Sequence, residues 1–287
     1  MPPDLMAVVL TVAPSEPITM PPHLGRAVYQ FWLDSLGQMD NQLAQEIHDS
    51  QERKPFTCSQ LVGGQRLSRQ ERQYTPEQPA WLRLTGLTPT VCGYLQQLVA
   101  DPPATIEIDH HAFNVKAATA DASVHEWAGQ ARYEELAAPY LLAQQEPNYR
   151  VRLHFASPTT FRSQGLSQPV PLPGLVFGSL LDRWNSFSRL QLAPEVRRFA
   201  NECVALSQYR LRTKAVPLKA NVIQMGCVGT ARFHLVRRDK FWASMINLLA
   251  VYSFYSGVGY QTTIGLGQTR PLLARDKVTE LSPSAAR

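Results

Sequence analysis

The chain has 287 residues, 44% of them hydrophobic, which is enough to bury the core of one large or two ordinary domains. No apolar run is long enough to span a bilayer, and the N-terminus lacks the basic start and small-residue cleavage site of a signal peptide. We therefore expect a cytoplasmic protein with no membrane partner. The four cysteines stand far apart, without a C-x-x-C pair or a histidine cluster at metal spacing, so we expect no bound metal and no disulfide framework.

The net charge of +5 is divided unevenly along the chain. Residues 1–145 carry a net charge of −7, whereas residues 146–287 carry +12. A surface that serves only solubility would seldom separate charge this strongly. The division predicts a polyanion that is bound mainly by the second half.

The first half is predicted to fold as strand, helix, strand, strand, helix, strand, which is the order of a ferredoxin-like βαββαβ unit. Leu5–Val12 is a nearly unbroken apolar strand, and two prolines precede a helix from His23 to Leu36. The remaining predicted elements are the short helix Gln42–His48, the strands Pro55–Leu61 and Trp81–Leu87, the helix Pro89–Ala100 and the strand Thr105–Val115.

The second half is predicted to repeat this order after a connecting region, residues 116–147, that holds some helix around Arg132–Leu136. We expect a first domain at 1–135, a connector at 136–147 and a second domain at 148–287. The predicted fold is α+β, with tandem ferredoxin-like (RRM-like, βαββαβ) domains and antiparallel sheets. The predicted elements of the second domain are the strands Asn148–Ala156 and Gln208–Ala215, one or two strands in Asn221–Arg238, the helices Leu175–Phe187 and Lys240–Tyr255, and the last strand Gln268–Leu273.

Three predicted strands of the second half alternate apolar and basic side chains, which places the basic ones on one face of each strand. We expect these faces to lie together on the solvent side of one sheet, where they could bind a polyanion. An ordinary solvated face is the alternative, because strands often carry arginine on their wet side. The basic residues are Arg150, Arg152 and His154 in the first strand, Arg210, Arg212 and Lys214 in the second, and Arg232 and His234 in the third.

A glycine-rich stretch, GVGYQTTIGLG, lies near the C-terminus at residues 257–267. Its glycines, Gly257, Gly259, Gly265 and Gly267, allow positive φ and close approach, so that backbone N–H groups can point at a phosphate. The stretch follows a helix rather than a strand, and no Gly-Lys-Ser/Thr is present, which argues against a nucleotide cofactor. A tight hairpin with ordinary turn glycines is the alternative.

This glycine-rich stretch resembles the C-terminal loop of the CRISPR-associated RAMP proteins, in particular the family of endoribonucleases that cut CRISPR repeat RNA. Residues 46–57 and 155–162 are also similar to that family. The resemblance implies a metal-independent endoribonuclease that cleaves precursor CRISPR RNA within repeats by attack of the 2′-OH. The products would carry a 2′,3′-cyclic phosphate and a 5′-OH. Repeat RNA is then the expected partner, and contacts with other Cas proteins and a homodimer stay open.

Such a cut needs a histidine with a cation or a tyrosine beside it. The resemblance assigns His48 as base or acid, Lys54 as the oxyanion stabiliser and Tyr29 as a positioning or proton-donating group. His23 is the main rival, because the dipole at the start of a helix keeps a histidine neutral and able to act as a base. Ordinary roles stay open for His48 at a helix C-terminus, for Tyr29 in the core and for Lys54 in solvent.

The predicted RNA-binding residues are the four loop glycines, the basic strand residues named above, Arg162 and Arg270. A catalytically silent RAMP subunit that only binds guide RNA would show the same loop and the same basic sheet. A single-strand RNA-binding protein of the RRM type is a weaker alternative, because the aromatic-rich strand signature of that module is absent.

Overall fold

The structure is a computed structural model that describes residues 2–50, 52–142, 144–219 and 222–272. The end of the predicted second domain, residues 273–287, lies outside the described residues. The described chain forms two α+β units, each built on its own antiparallel sheet, so the prediction of tandem ferredoxin-like units is confirmed. Within these ranges, no helix has the length and apolar character needed to cross a membrane.

The first unit contains a main sheet with the strand order β3-β6-β1-β8-β7, and β9 extends it by pairing with β1. A second sheet of three short strands has the order β2-β5-β4. Helices α1 and α3 are the two helices of the ferredoxin-like unit. The elements are β1 (Leu5–Pro14), β2 (Ile18–Met20), α1 (Gly25–Met39), α2 (Asn41–Asp49), β3 (Phe56–Cys58), β4 (Gln65–Arg66), β5 (Arg72–Tyr74), β6 (Ala80–Gly86), α3 (Pro89–Ala100), β7 (Thr105–Ile108), β8 (His111–Thr119) and β9 (Gly129–Ala131).

The apolar run of β1 is explained by burial on both faces. Met6, Val8 and Leu10 belong to the core beneath α1 and α3, whereas Leu5 and Ala7 belong to the core of the second unit. Strands that are covered on both faces show continuous rather than alternating hydrophobicity. The central strand of the first unit therefore also forms part of the contact between the two units.

The predicted single strand Thr105–Val115 is wrong, because two strands, β7 and β8, form a hairpin there. Asp109 and His110 have φ values of 52° and 65° and form its turn. Such turns require positive φ at both central residues, and asparagine, aspartate or glycine are the usual signals. The pair Asp-His does not give that signal clearly.

The second unit repeats the topology, with the strand order β13-β14-β10-β15. Strands β13 and β14 form one long hairpin, and β13 extends beyond the predicted end at Ala215. Helix α6 was not predicted. The elements are α4 (Tyr133–Leu141), β10 (Arg150–Thr159), β11 (Phe161–Ser163), β12 (Leu166–Gln168), α5 (Pro173–Phe187), α6 (Glu195–Cys203), β13 (Val204–Lys219), β14 (Val222–Leu235), α7 (Lys240–Ser256), a 3₁₀ turn (Thr262–Ile264) and β15 (Thr269–Pro271).

Helix α4 lies across the predicted boundary at residue 135. Strand β9, just before it, pairs with β1 of the first sheet, whereas Tyr133 and Ala137 of α4 are buried in the core of the second unit. The chain therefore passes between the units within a few residues, and the boundaries proposed from the sequence keep the status of a prediction.

Helix α7 is the apolar centre of the second unit. Its N-cap is Asp239, whose carboxylate accepts hydrogen bonds from the backbone N–H groups of Phe241 and Trp242. Its residues are buried on most sides, and it packs on α4, α5 and the sheet of the first unit. A helix that is apolar all round is a buried helix. Its C-terminal end, at Gly257, is consequently held in a fixed place against both units.

The two units are joined by a fully buried arginine, Arg83 of β6. Its guanidinium donates to the carbonyl oxygens of Trp127 (2.7 Å) and Phe254 (2.6 Å) and to the Gln268 side chain (2.8 Å). It also lies 4.5 Å from the centre of the Phe254 ring. Burial lowers the pKa of Arg83 to about 9, which leaves the group charged at neutral pH. Arg83 thus links the first sheet to α7 and to the residue that follows the glycine stretch.

Candidate nucleic-acid interface

The glycine loop, residues 257–267, connects α7 to β15. All four of its glycines have positive φ, between 61° and 88°. Three of their N–H groups are used inside the protein: Gly257 donates to Ser253, Gly259 to the Ser179 hydroxyl and Gly267 to the Pro158 carbonyl. The expected row of N–H groups aimed at an anion is therefore wrong for these three glycines. Their contribution is the shape of the loop.

That shape is enforced by close packing. A Cβ at Gly259 would overlap the Thr160 carbonyl oxygen, and a Cβ at Gly257 would lie 2.9 Å from the Gly267 carbonyl oxygen. At Gly265 a Cβ would meet the side chain of Gln60, which belongs to the first unit. Gln60 also accepts a hydrogen bond from the backbone N–H of Gly25 (2.8 Å). The loop is thus pressed against the start of α1.

Arg183 of α5 supports the glycine loop from beneath, and sequence reasoning missed it. Its guanidinium donates to the carbonyl oxygens of Gly257 (3.3 Å) and Gly259 (2.6 Å) and to the Thr262 hydroxyl (3.1 Å). Burial lowers the pKa of Arg183 to about 10, so it stays charged. The sequence did contain a signal for this role, because Arg183 lies within the mostly apolar stretch of α5. A charged residue among residues that are expected to be buried needs a partner inside the protein.

Lys54 lies at the C-terminal end of α2. Its ammonium donates to the carbonyl oxygens of Ile47, His48 (3.3 Å) and Ser50 (2.7 Å). These are carbonyl groups that the end of a helix leaves without backbone partners, and a lysine there also interacts favourably with the helix dipole. Burial lowers the pKa of Lys54. Its position in the structure is therefore that of a helix cap.

The side chains of His48 and Tyr29 differ in their surroundings. His48 is exposed in the last turn of α2. Tyr29 is half-buried on α1, and its ring stacks on Phe56 at 5.9 Å. Burial, together with the neighbouring Cys58, raises the pKa of Tyr29, so its hydroxyl keeps its proton and can donate it in a hydrogen bond.

His23 lies two residues before α1, next to the place where Gly25 meets the glycine loop. It is half-buried, and burial together with the charges of Lys214 and Arg72 lowers its pKa. A lowered pKa keeps the imidazole neutral at physiological pH, which is the form that can take a proton. Of the two candidate histidines, His23 has the environment of a base.

The basic face is the side of the second sheet opposite α5 and α7. Register places Arg152, Arg232 and Gln208 in one row across three strands, and Arg150 lies opposite His234. The alternate residues of β10, Val151, Leu153 and Phe155, are buried in the core. The predicted basic face therefore exists, and it comprises Arg150, Arg152, His154, Arg210, Arg212, Lys214, Arg232 and His234.

Strand β13 carries this face toward the glycine loop. Its pairing with β14 is regular from Gln208 to Pro217, so Arg210, Arg212, Lys214 and Val216 lie on one side. Val216 then packs on Leu266 of the glycine loop. On the opposite side of the strand, Leu211 packs against the core of the second unit, whereas Tyr209 is 62% exposed.

Two of the predicted contacts outside this face have partners within the protein. Arg270 forms an ion pair with Glu126 (2.7 Å) and lies over the Trp127 ring. Arg162 lies 4.8 Å from the centre of the Tyr260 ring, at the rim of a cleft of about 390 Å³ between the units. Arg162 and Arg270 stay predicted RNA contacts. To contact a phosphate, Arg270 would have to do so while it is paired with Glu126.

Comparison with known proteins gives two family matches that together span most of the chain. The CRISPR Cas6 N-terminal domain matches residues 1–138, and the CRISPR-associated endoribonuclease Cas6 matches residues 153–269. A CRISPR-associated endoribonuclease Cas6 of Mycobacterium tuberculosis is 30% identical over 131 residues, which are 45% of this chain and 41% of that protein. The match thus spans less than half the length of this curated relative.

Solved structures extend the likeness over nearly the whole chain. A Cas6 product complex is 29% identical with a TM-score of 0.74, and covers 94% of this chain and 99% of that one. A second Cas6 product complex is 26% identical with a TM-score of 0.77, and covers 95% and 100%. The two family matches and the tandem sheets agree. The chain belongs to the Cas6 family of CRISPR-associated endoribonucleases.

Proposed function

We propose that this protein cuts precursor CRISPR RNA within its repeats, without a metal ion, and that it can retain the guide. The observation that carries the proposal is the course of the basic face, which leads along β13 to a half-buried histidine beside the glycine loop. A backbone-binding surface that ends at a candidate base is what an RNA-cleaving site requires. Relatives of similar fold were solved as product and substrate mimic complexes.

The chemistry uses the RNA's own nucleophile. A base takes the proton of a 2′-OH, the oxygen attacks the adjacent phosphorus, and the bond to the 5′-oxygen breaks as that oxygen gains a proton. Atoms and charges balance in a 2′,3′-cyclic phosphate and a 5′-OH. The surroundings of His23 favour it as the base, and Lys214, whose charge acts on His23, would be the cation that stabilises the phosphorus oxygens. His48 stays the alternative base or acid, and Tyr29 is a positioning or donor group.

A catalytically silent RNA-binding subunit is the second candidate, and the position of Lys54 favours it. If Lys54 is the essential cation, as the family resemblance implies, it would have to leave three carbonyl acceptors to reach a phosphate. A chain whose lysine only caps α2 would bind repeat RNA and leave it intact.

One assay separates the two candidates. Repeat RNA is incubated with excess protein in EDTA, and we expect a single cut, a cyclic phosphate on the upstream product and no cut when the 2′-OH at the scissile position is removed. His23→Ala should lower the single-turnover rate by about 100-fold or more with little change in affinity. His48→Ala tests the alternative in the same way.

The outcomes are distinguishable. Binding without cleavage by the wild-type protein supports the silent subunit. Cleavage that requires a metal ion would overturn the mechanism, and a loss of rate in His48→Ala alone would move the base to α2. Association with other Cas proteins and a homodimer stay predictions, which light scattering with and without repeat RNA can test.

A further inference from the structure

The hairpin of β4 and β5 is basic although the first half of the chain is acidic. Three of its residues are arginines, Arg66, Arg69 and Arg72, and they lie within a stretch of seven residues. Register places Arg66 directly opposite Arg72. Like charges directly opposite each other on neighbouring strands are destabilising, so this pair weakens the small sheet unless an anion lies near it.

The location of this pair is fixed by the small sheet. Arg72 lies opposite Met20 of β2, and it shares a strand face with Tyr74; both Met20 and Tyr74 are buried in the core of the first unit. The guanidinium of Arg72 donates to the carbonyl oxygens of Gly63 and Gly64. Met20 precedes His23 by three residues. The arginine pair is therefore held beside the candidate base.

The long hairpin of the second unit approaches the same place. Val216 packs on Leu266, Ile264 packs against the same cluster, and the backbone of Gly25 lies against the Ile264 carbonyl. Lys214, two residues before Val216, thereby reaches the neighbourhood of His23. In agreement with this position, partial burial and the charges of Arg212, Arg72 and Arg66 lower the pKa of Lys214.

In the part of the chain that the structure describes, no ion pair within 4.0 Å offsets these charges. Among the described residues, Arg53 and Arg197 pair with Asp182, and Arg270 pairs with Glu126. Within the same part of the chain, Arg66, Arg72 and Lys214 form no ion pair within 4.0 Å. Cations gathered from two units without a counter-charge create a local positive potential that attracts a polyanion.

We propose that Arg66 and Arg72 of the first unit and Lys214 of the second form a phosphate-binding site for the RNA backbone next to His23. The inference rests on the proposed function, and it adds a contact that the sequence did not indicate, because all predicted basic RNA contacts lie in the second half. The RNA strand would leave the basic face at Lys214 and pass over the β4–β5 hairpin. Both units would then hold the strand on either side of the cut.

The test measures the affinity for uncleavable repeat RNA, with a 2′-deoxy nucleotide at the cut, over a series of salt concentrations. Arg66→Gln removes one charge without touching the Gly63 and Gly64 contacts of Arg72. We expect a five- to tenfold weaker affinity at moderate salt and a slope of log affinity against log salt that is smaller by about 1. Arg69→Gln, on the same hairpin but outside the charge cluster, is the matched control and should keep the wild-type slope.

Lys214→Gln and the double variant Arg66→Gln/Lys214→Gln complete the design, with each variant's fold checked by its thermal midpoint. We expect the slope of log affinity against log salt to fall in the double variant by the sum of the two single reductions. The proposal is overturned if Arg66→Gln binds as Arg69→Gln does while Lys214→Gln alone weakens binding. Wild-type cleavage in EDTA is scored separately, so a chain that binds through Arg66 but does not cut would contradict the proposed function and leave this site standing.

Discussion

At the scale of single residues, the surroundings of a side chain decide between the two candidate histidines. The family resemblance assigns His48, because His48 and Lys54 fit the places that it implies for a histidine and a lysine. The structure places His48 in solvent and ties Lys54 to the end of α2, whereas His23 is half-buried beside Lys214 and Arg72. A general base needs a neutral form near the working pH, and these surroundings supply it for His23.

The pH dependence of cleavage tests this assignment. The pKa of His23 is lowered from 6.5, chiefly by burial and then by the two cations, so its neutral form persists to lower pH. At limiting protein concentration, the cleavage rate should therefore rise with pH through a midpoint below 6.5. Lys214→Gln removes one of the cations and should move that midpoint to higher pH. A midpoint above 6.5 that shifts in His48→Ala and not in Lys214→Gln would contradict the assignment.

At the scale of elements, periodicity predicted the strands and helices of both units because their apolar faces are long. It failed where local turn chemistry decides, as in the hairpin at Asp109, and where elements are short, as in the sheet of β2, β4 and β5. The glycine loop was found from its spacing alone. The use of its N–H groups could not be predicted, because their acceptors come from distant parts of the chain.

Two glycine substitutions test whether the shape of the glycine loop matters for RNA binding, because one lies in the loop and the other measures the general effect of replacing a glycine. Gly259→Ala places a Cβ against the Thr160 carbonyl at a φ of 82°, so the loop must move. We expect repeat RNA to bind about tenfold or more weakly, since a loop shifted by this overlap no longer matches the ligand. Gly93→Ala, in α3, meets no atom within 4 Å and should bind normally with equal or greater stability. Normal binding of repeat RNA by Gly259→Ala would contradict this prediction, and the loop would then only connect α7 to β15.

At the scale of the whole molecule, the candidate site exists only because the two units hold a fixed orientation. His23 and the arginine pair come from the first unit, and the glycine loop, Arg183 and Lys214 come from the second. The sequence predicted both units but could not predict their contact. The contact depends on Arg83, a charged residue in a strand, and its acceptors lie more than forty positions away in the sequence.

Replacement of Arg83 tests how far this contact determines stability and function. Arg83→Met fills part of the same space but leaves the Trp127 and Phe254 carbonyl groups and the Gln268 side chain without their donor. Unsatisfied buried acceptors cost about 1–3 kcal/mol each, so the free energy of unfolding should fall by roughly 3 kcal/mol or more. Lys116→Met, on the exposed side of β8, is the control and should change stability by less than about 0.5 kcal/mol. Urea unfolding followed by tryptophan fluorescence measures both, because Trp127 lies beside Arg83.

If the units turn relative to each other, RNA cleavage should fall even under conditions where Arg83→Met stays folded, since residues of the candidate site would separate. A variant with wild-type stability and wild-type cleavage would show that the remaining contacts of α7 with the first sheet are sufficient to orient the two units.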